Sequence, residues 1–282
     1  MVVHALAKSA FSASGKSGLY DRARPSYPIE AIGEIFKLLA GRKHASLIEL
    51  GPGTGIFTRM LLHPPNEVGL TASGHIGSIL AVEPAEGMRQ DFERNTHAPQ
   101  GIELSIKDGS FTEIPAEDSS ADAVVIAQAF HWAHPHYDAS IKEIARVLRP
   151  GGLWCMIWNL EDREAAQWVA KIRDAYEQHE KGTPQYRLAW WKQIYNEPSY
   201  SQHFVQSQHF TYRREIPTTV DGVVDRALSK SFITDLSESD QQQVEKNLRK
   251  ILAEATDKKA LDDQGHFAFP YRTDLYVFEK KA

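Results

Sequence analysis

Leu47-Ile-Glu-Leu-Gly-Pro-Gly-Thr-Gly55 runs an apolar strand, closed by an acid, straight into three alternate glycines. A strand that turns sharply into a helix beneath a ligand needs residues that tolerate positive φ and carry no Cβ, so the run reads as a nucleotide-cofactor turn. The glycine spacing narrows the cofactor. Gly51, Gly53 and Gly55 fit G-x-G-x-G, whereas the dinucleotide fingerprint G-x-G-x-x-G requires glycine at the position of Ile56. Pro52 stiffens the turn, and a helix opening at about Thr54, with Thr54 as its cap, presents unpaired N–H groups to the ligand. Glu49 puts an anion before the turn, which suits a ligand bearing an ammonium group better than one bearing a pyrophosphate. Taken alone, the stretch also fits a glycine-rich turn with no ligand.

Outward from the turn, Ser78-Ile-Leu-Ala-Val-Glu-Pro84 is a second short apolar run ending in an acid. In open α/β sheets such an acid bonds ribose hydroxyls, which makes Glu83 the candidate. It lies 32 residues after Gly51, and the excess over the usual gap of about 20 falls in Pro64 to Gly77, read as an enlarged loop. Val124-Val-Ile-Ala127 is the continuous apolar run of a strand covered on both faces. Gln128, His131 and Trp132 follow at its carboxyl end, where ligands bind in such sheets. Ile141, Ile144, Ala145 and Leu148 have helical spacing within Tyr137 to Leu148; Arg149-Pro150-Gly151-Gly152 ends that helix, and Leu153 to Trp158 is the next strand.

The run E-x-G-x-G-x-G at Glu49 to Gly55 resembles motif I of the class I S-adenosylmethionine (SAM)-dependent methyltransferases, of the methyltransferase type 11-like kind. Gly109-Ser-Phe-Thr-Glu-Ile-Pro115 resembles that family's adenine-contacting turn, with Ser110 in place of the expected acid and Phe111 in place of a small residue. Arg146-Val-Leu-Arg-Pro-Gly-Gly152 resembles the family's segment before the fifth strand. Tyr20-Asp-Arg-Ala-Arg-Pro-Ser-Tyr-Pro28, with Ala129-Phe-His-Trp132, is similar to the subgroup that includes trans-aconitate methyltransferases. The matched segments span residues 20 to 158.

The resemblance implies a Rossmann-like α/β fold: a seven-stranded sheet with an antiparallel last strand and a helical substrate cap. The expected organisation is one domain over 1–282, with an N-terminal lid and first helix at 1–40, a SAM-binding core at 41–160, and cap helices and the last two strands at 161–282. It further implies S-adenosyl-L-methionine as cofactor, with Glu49 and Gly51, Gly53 and Gly55 at the methionine portion, Glu83 at the ribose, and Gly109, Ser110 and Phe111 at the adenine. Tyr20, Arg24 and Gln128 are further cofactor candidates, and Tyr27, Trp132, Trp158 and Trp190 are substrate candidates. His131 is the one candidate general base, with packing or cofactor orientation as its alternative role.

The implied activity is methyl transfer to a small-molecule acceptor, at a carboxylate or hydroxyl oxygen. Arg24 favours a carboxylate through its planar donor fork, while Trp132, Trp158, Trp190 and Trp191 favour a flat or apolar acceptor. The rivals are a non-catalytic SAM-binding or regulatory protein and an NAD(P)-dependent oxidoreductase, the latter opposed by Ile56 and Glu49. A net charge of -5 points to neither nucleic-acid nor membrane partners. Cys155, the single cysteine, lies in an apolar strand and reads as a core thiol; no metal site is expected, since the 12 histidines show no ligand spacing with acids. With no secretory leader and no membrane-length apolar stretch, the expected location is the cytoplasm.

Beyond residue 160, Glu161 to Glu180 reads as a helix with Trp168, Val169, Ile172 and Tyr176 on one face. Phe204 to Ile216 reads as a strand ended by Pro217, followed by helices at Val220 to Leu228 and Ser237 to about Ala255 and by a closing strand, Phe267 to Phe278.

Overall fold

In a computed structural model, which describes residues 22–282 apart from Leu70 and Gln206, the apolar runs pair into one seven-stranded sheet. The strands are β1 (Ala45–Leu50), β2 (Ile76–Val82), β3 (Glu103–Lys107), β4 (Ala121–Ala127), β5 (Leu148–Glu161), β6 (Gln208–Thr218) and β7 (Phe267–Glu279), in the order β3-β2-β1-β4-β5-β7-β6. β1 to β5 are mutually parallel, and β7 runs antiparallel to both neighbours. The chain reverses direction across the sheet at β1, so the β1/β4 border is the topological switch point at which such sheets bind ligands.

Alternation along the central strands supplies both faces of the core. Ile48, Val124, Trp154 and Trp158 pack on one side with Ile141 and Ile144. Leu47, Val125, Cys155 and Ile157 pack on the other with Ile32, Phe36 and Phe57. The covering helices are α1 (Ile29–Leu38), α2 (Ile56–Leu62), α3 (Glu86–Asn95) and α4 (Tyr137–Val147).

Several elements depart from their sequence expectation for visible reasons. α2 begins at Ile56 with left-handed Gly55 at its N-cap position and no side-chain cap, so Thr54, buried inside the turn, does not cap it. The Pro64 to Gly77 stretch folds two 3₁₀ turns and gives Ile76 and Gly77 to β2. Arg149 to Gly152 forms a bulge at the start of β5, where pairing with β4 jumps from Ala121–Leu148 to Ala123–Leu153. Pro217 does not end β6: it pairs opposite Ala268, tolerated because β6 is the sheet's edge.

The cap comprises α5 (Gln167–Glu177), α7 (Val220–Leu228), α8 (Ser231–Thr234) and α9 (Glu238–Glu254), whereas α6 (Pro198–His203) lies against α4, with Ser199 Oγ donating to Asp138 O at 3.3 Å. Ser237 caps α9 by accepting the Asp240 N–H at 3.2 Å. Trp168, Val169 and Ile172 of α5 form a separate core with Val223 and Val224 of α7, Leu248 and Leu252 of α9, and Phe267, Phe269 and Tyr271 of β7. β5 and β7 stay paired as far as Glu161–Tyr271, four residues beyond the end of β4 opposite Ile157, so this antiparallel pair projects past β4 and carries the cap over the carboxyl ends of the parallel strands.

Candidate functional site

The cleft beneath the cap starts at the glycine turn. Gly51, Gly53 and Gly55 all adopt left-handed φ, +70°, +59° and +85°, as the alternate spacing requires. A Cβ on Gly51 would lie 2.7 Å from Ala129 Cβ, so the turn closes against the tip that follows β4. Glu83, at the carboxyl end of β2, accepts the Gly53 N–H with Oε2 (3.2 Å) and the Ala85 N–H with Oε1 (3.0 Å). Its carboxyl is thereby fixed at the cleft wall, and burial raises it to about 7 despite these bonds. Ser110 and Phe111 form the neighbouring wall, with the Phe111 ring edge-on to Phe130 at 5.7 Å.

The β4 tip forms the next wall. Gln128 is left-handed (φ 57°) without being glycine, held by its N–H on Ile157 O and its Nε2 on Asn159 O, each 2.8 Å. His131 sits in the 3₁₀ turn Phe130–Ala133 and is 8% exposed. Burial, reinforced by the Arg24 charge, lowers its ring to about 3. Trp158 Nε1 donates to His131 Nδ1 at 3.4 Å, so the neutral ring carries its proton on Nε2. Arg24 and Tyr27 of the amino-terminal segment and Trp132 line the same cleft. Arg24 Nη2 donates to Ser229 O (3.0 Å) and Asn159 Nδ2 to Ser26 O (2.9 Å), tying that segment to cap and core.

Thus Arg24, Tyr27, Gly51, Gly53, Glu83, Ser110, Phe111, Gln128, His131 and Trp132 share one cleft. The other sequence candidates stand elsewhere. Glu49 lies behind the turn, fully buried; Thr58 donates to its Oε2 at 2.6 Å, Oε1 has no hydrogen-bond partner among the described residues, and burial raises its carboxyl to about 7. Gly55 and Gly109 serve close packing: a Cβ on Gly55 would lie 2.9 Å from Phe92, and one on Gly109 2.6 Å from Val82. Trp158 has no exposed surface and stacks on Tyr186 at 4.6 Å. Trp190 is 38% exposed on the outer side, against His134 at 5.0 Å. Tyr20 lies outside the described residues.

Charged groups that sequence reasoning passed over occupy the cap side of the cleft. Glu161, the last residue of β5, pairs with Arg226 Nη2 (2.9 Å) and Lys230 Nζ (3.1 Å). Burial opposes its ionisation, yet Arg226, Lys230 and Arg173 outweigh burial and hold the carboxyl well below the usual range. Burial, aided by Arg226, brings Lys230 down to about 7. Glu177 bonds Arg173 at 2.5 Å and Arg187 at 3.3 Å, and Arg187 also pairs with Glu180. The available signal was the Asn159-Leu-Glu161 ending of an apolar strand, because polar residues at a carboxyl strand end face the ligand crevice.

Among the described residues no three His, Cys, Asp or Glu side chains converge as metal ligands, and no helix is long and apolar enough to cross a membrane. Residues 48–156 match the family model described as a methyltransferase domain. An uncharacterized methyltransferase of Mycobacterium tuberculosis is 39% identical over 155 residues, 55% of this chain and 54% of that protein. This chain therefore aligns with about half the length of that relative. An uncharacterized methyltransferase-like protein of Schizosaccharomyces pombe is 29% identical over 82% of each chain. The fold is similar to the crystal structure of a putative methyltransferase from an antibiotic biosynthesis pathway of Anabaena variabilis, with TM-score 0.55 and 20% identity over 90% of this chain and 98% of that one.

Proposed function

We propose, from the premise that its domain at residues 48–156 makes this chain a member of the class I SAM-dependent methyltransferases, that it transfers the SAM methyl group to an oxygen of a small-molecule acceptor. The observation that carries this reading is the convergence of the left-handed glycine turn, the Glu83 carboxyl and the Phe111 ring beyond the carboxyl ends of β1, β2 and β3. Those residues fit the cofactor: bare backbone at Gly51 and Gly53 for the methionine portion, a fixed carboxyl for the ribose, and Ser110 and Phe111 as the adenine edge. Glu49 supports the turn from behind, through Thr58 of α2.

SAM supplies a methyl group already activated by sulfonium charge, so the chain's task is to align the acceptor and exclude water. The cap and the Arg24–Ser229 link close the cleft above the strand ends. His131 offers its Nε2–H to the acceptor oxygen and holds it in line. A ring lowered to about 3 is a weak base, which favours an acceptor that enters already ionised, such as a carboxylate.

The test is calorimetric titration with S-adenosylhomocysteine and, separately, NADH, followed by transfer of labelled methyl to a panel of small acids, alcohols and amines. Binding of the first, absence of binding of the second, and label on an acid are expected. NADH binding without S-adenosylhomocysteine binding would return the oxidoreductase reading, and cofactor binding with no labelled product across the panel would favour a non-catalytic role.

A further inference from the structure

The cap side of the cleft holds a buried guanidinium whose donors are only partly used. Arg226 is 5% exposed, lines the cleft and pairs through Nη2 with Glu161, with the Tyr271 hydroxyl beside it. Its Nε and Nη1 are buried without a hydrogen-bond partner among the described residues. Buried guanidinium donors left unpaired are costly, so a site that keeps them is built for an acceptor group to arrive. Lys230 shares the same Glu161 carboxylate, at 3.1 and 3.4 Å, and lies 4.4 Å above the Tyr176 ring.

The adjoining carboxylates are engaged by other arginines. Glu177 and Glu180 are engaged by Arg173 and Arg187, and the outer Arg163 pairs with Asp174 at 2.8 Å. Arg24 adds its charge to Lys230 from the amino-terminal side. None of the cap-side carboxylates Glu161, Glu177 and Glu180 reaches Arg226 Nε or Nη1, so these two donors are left for an incoming anion.

Resting on the reading above, we propose that the acceptor carries an oxyanion handle, separate from the atom that receives the methyl group, and that Arg226 and Lys230 bind it. The separation follows from the register. Glu161 stands four residues beyond Ile157, the level of Gln128 N, which is about 13 Å along β5. β5 is two strands from β1, about 10 Å across the sheet from the glycine turn. Handle and reacting atom therefore occupy opposite ends of one acceptor, and its length, as well as its charge, is selected.

The experiment titrates tricarballylate and, separately, inorganic phosphate into the protein saturated with S-adenosylhomocysteine, by calorimetry. One of the two binds with Kd below about 1 mM, and the preferred one tells carboxylate from phosphate. Affinity falls by about tenfold or more in the double variant Glu161→Gln/Arg226→Gln, which removes both members of the Arg226–Glu161 pair together. Lys230→Met, which keeps the Arg226–Glu161 pair, weakens the same anion by about fivefold. Absence of binding by both anions to the wild type, or equal binding by the wild type and both variants, overturns the proposal. S-adenosylhomocysteine affinity, read in the same cell, keeps the outcomes apart: if it fails in the wild type the methyltransferase reading falls, and if it holds while anion binding fails only the handle does.

Discussion

Gly51→Ala tests the closure of the glycine turn against the β4 tip. Two separable effects act at Gly51. Its φ of +70° strains any residue with a Cβ by about 1–2 kcal/mol. The new Cβ would also lie 2.7 Å from Ala129 Cβ, an atom with no rotamer to move it aside, so the tip itself must shift, at about 1–3 kcal/mol. Gly101→Ala is the internal control: its φ is +89° and an added Cβ meets nothing within 4 Å, leaving the strain of about 1–2 kcal/mol alone. Urea unfolding followed by tryptophan fluorescence gives both losses, provided the slope is unchanged between variants. Gly51→Ala is expected to lose more than Gly101→Ala by at least about 1 kcal/mol, and to weaken S-adenosylhomocysteine by about tenfold where Gly101→Ala leaves it unchanged. Equal stability losses would show that turn and tip are not in contact, and unaltered affinity in Gly51→Ala would remove the turn from the cofactor site.

Three further outcomes follow from the same geometry. Glu83→Gln keeps an acceptor for only one of the Gly53 and Ala85 N–H groups and sets its amide NH2 against the other, so stability should fall by about 1–3 kcal/mol while S-adenosylhomocysteine binding weakens by about tenfold. Calorimetry that found affinity intact would take the ribose role from Glu83. His131, lowered to about 3 in the fold against 6.5 unfolded, binds fewer protons folded than unfolded between those values, so its contribution is lost as pH falls through that window. Urea midpoints measured from pH 4 to pH 7 should accordingly decline less steeply toward acid in His131→Gln than in the wild type; parallel declines would mean that the ring titrates normally. Glu49 has the opposite sign: raised to about 7 from 4.5, it retains its proton in the fold, and the wild type loses stability as pH rises through that interval. Glu49→Gln should gain on the wild type across it by on the order of a few kcal/mol, and a pH-independent difference would contradict a buried acid there.

The central sheet was readable because its signals are local and repeated. An apolar run such as Val124 to Ala127, followed at its carboxyl end by polar and aromatic residues, admits few placements, and the three glycines exclude any residue with a Cβ from their turns. The cofactor side of the cleft inherits that legibility, since Gly51, Gly53, Glu83 and Gln128 each stand at or just past the end of a strand. The cap side is assembled differently. Glu161 meets a lysine 69 residues away, and nothing near either residue announces the pairing.

In sequence, Glu161 resembles the acidic start of the next helix, and Arg226 and Lys230 resemble the solvated face of an amphipathic one. Only the overlong β5–β7 pair, which carries Glu161 past the end of β4 to Arg226 of α7, turns these charges inward. The tryptophans mislead in the opposite direction. Aromatic density reads as a binding surface, but the hydrophobic area of Trp158 is satisfied more fully between Tyr186 and Trp191 than at a wet cleft wall. Burial draws the large rings into the core, and ion pairing is what lets charged side chains enter a cleft at all. In a site of this kind the polar residues at strand ends, more than the aromatic ones, mark where the acceptor lies.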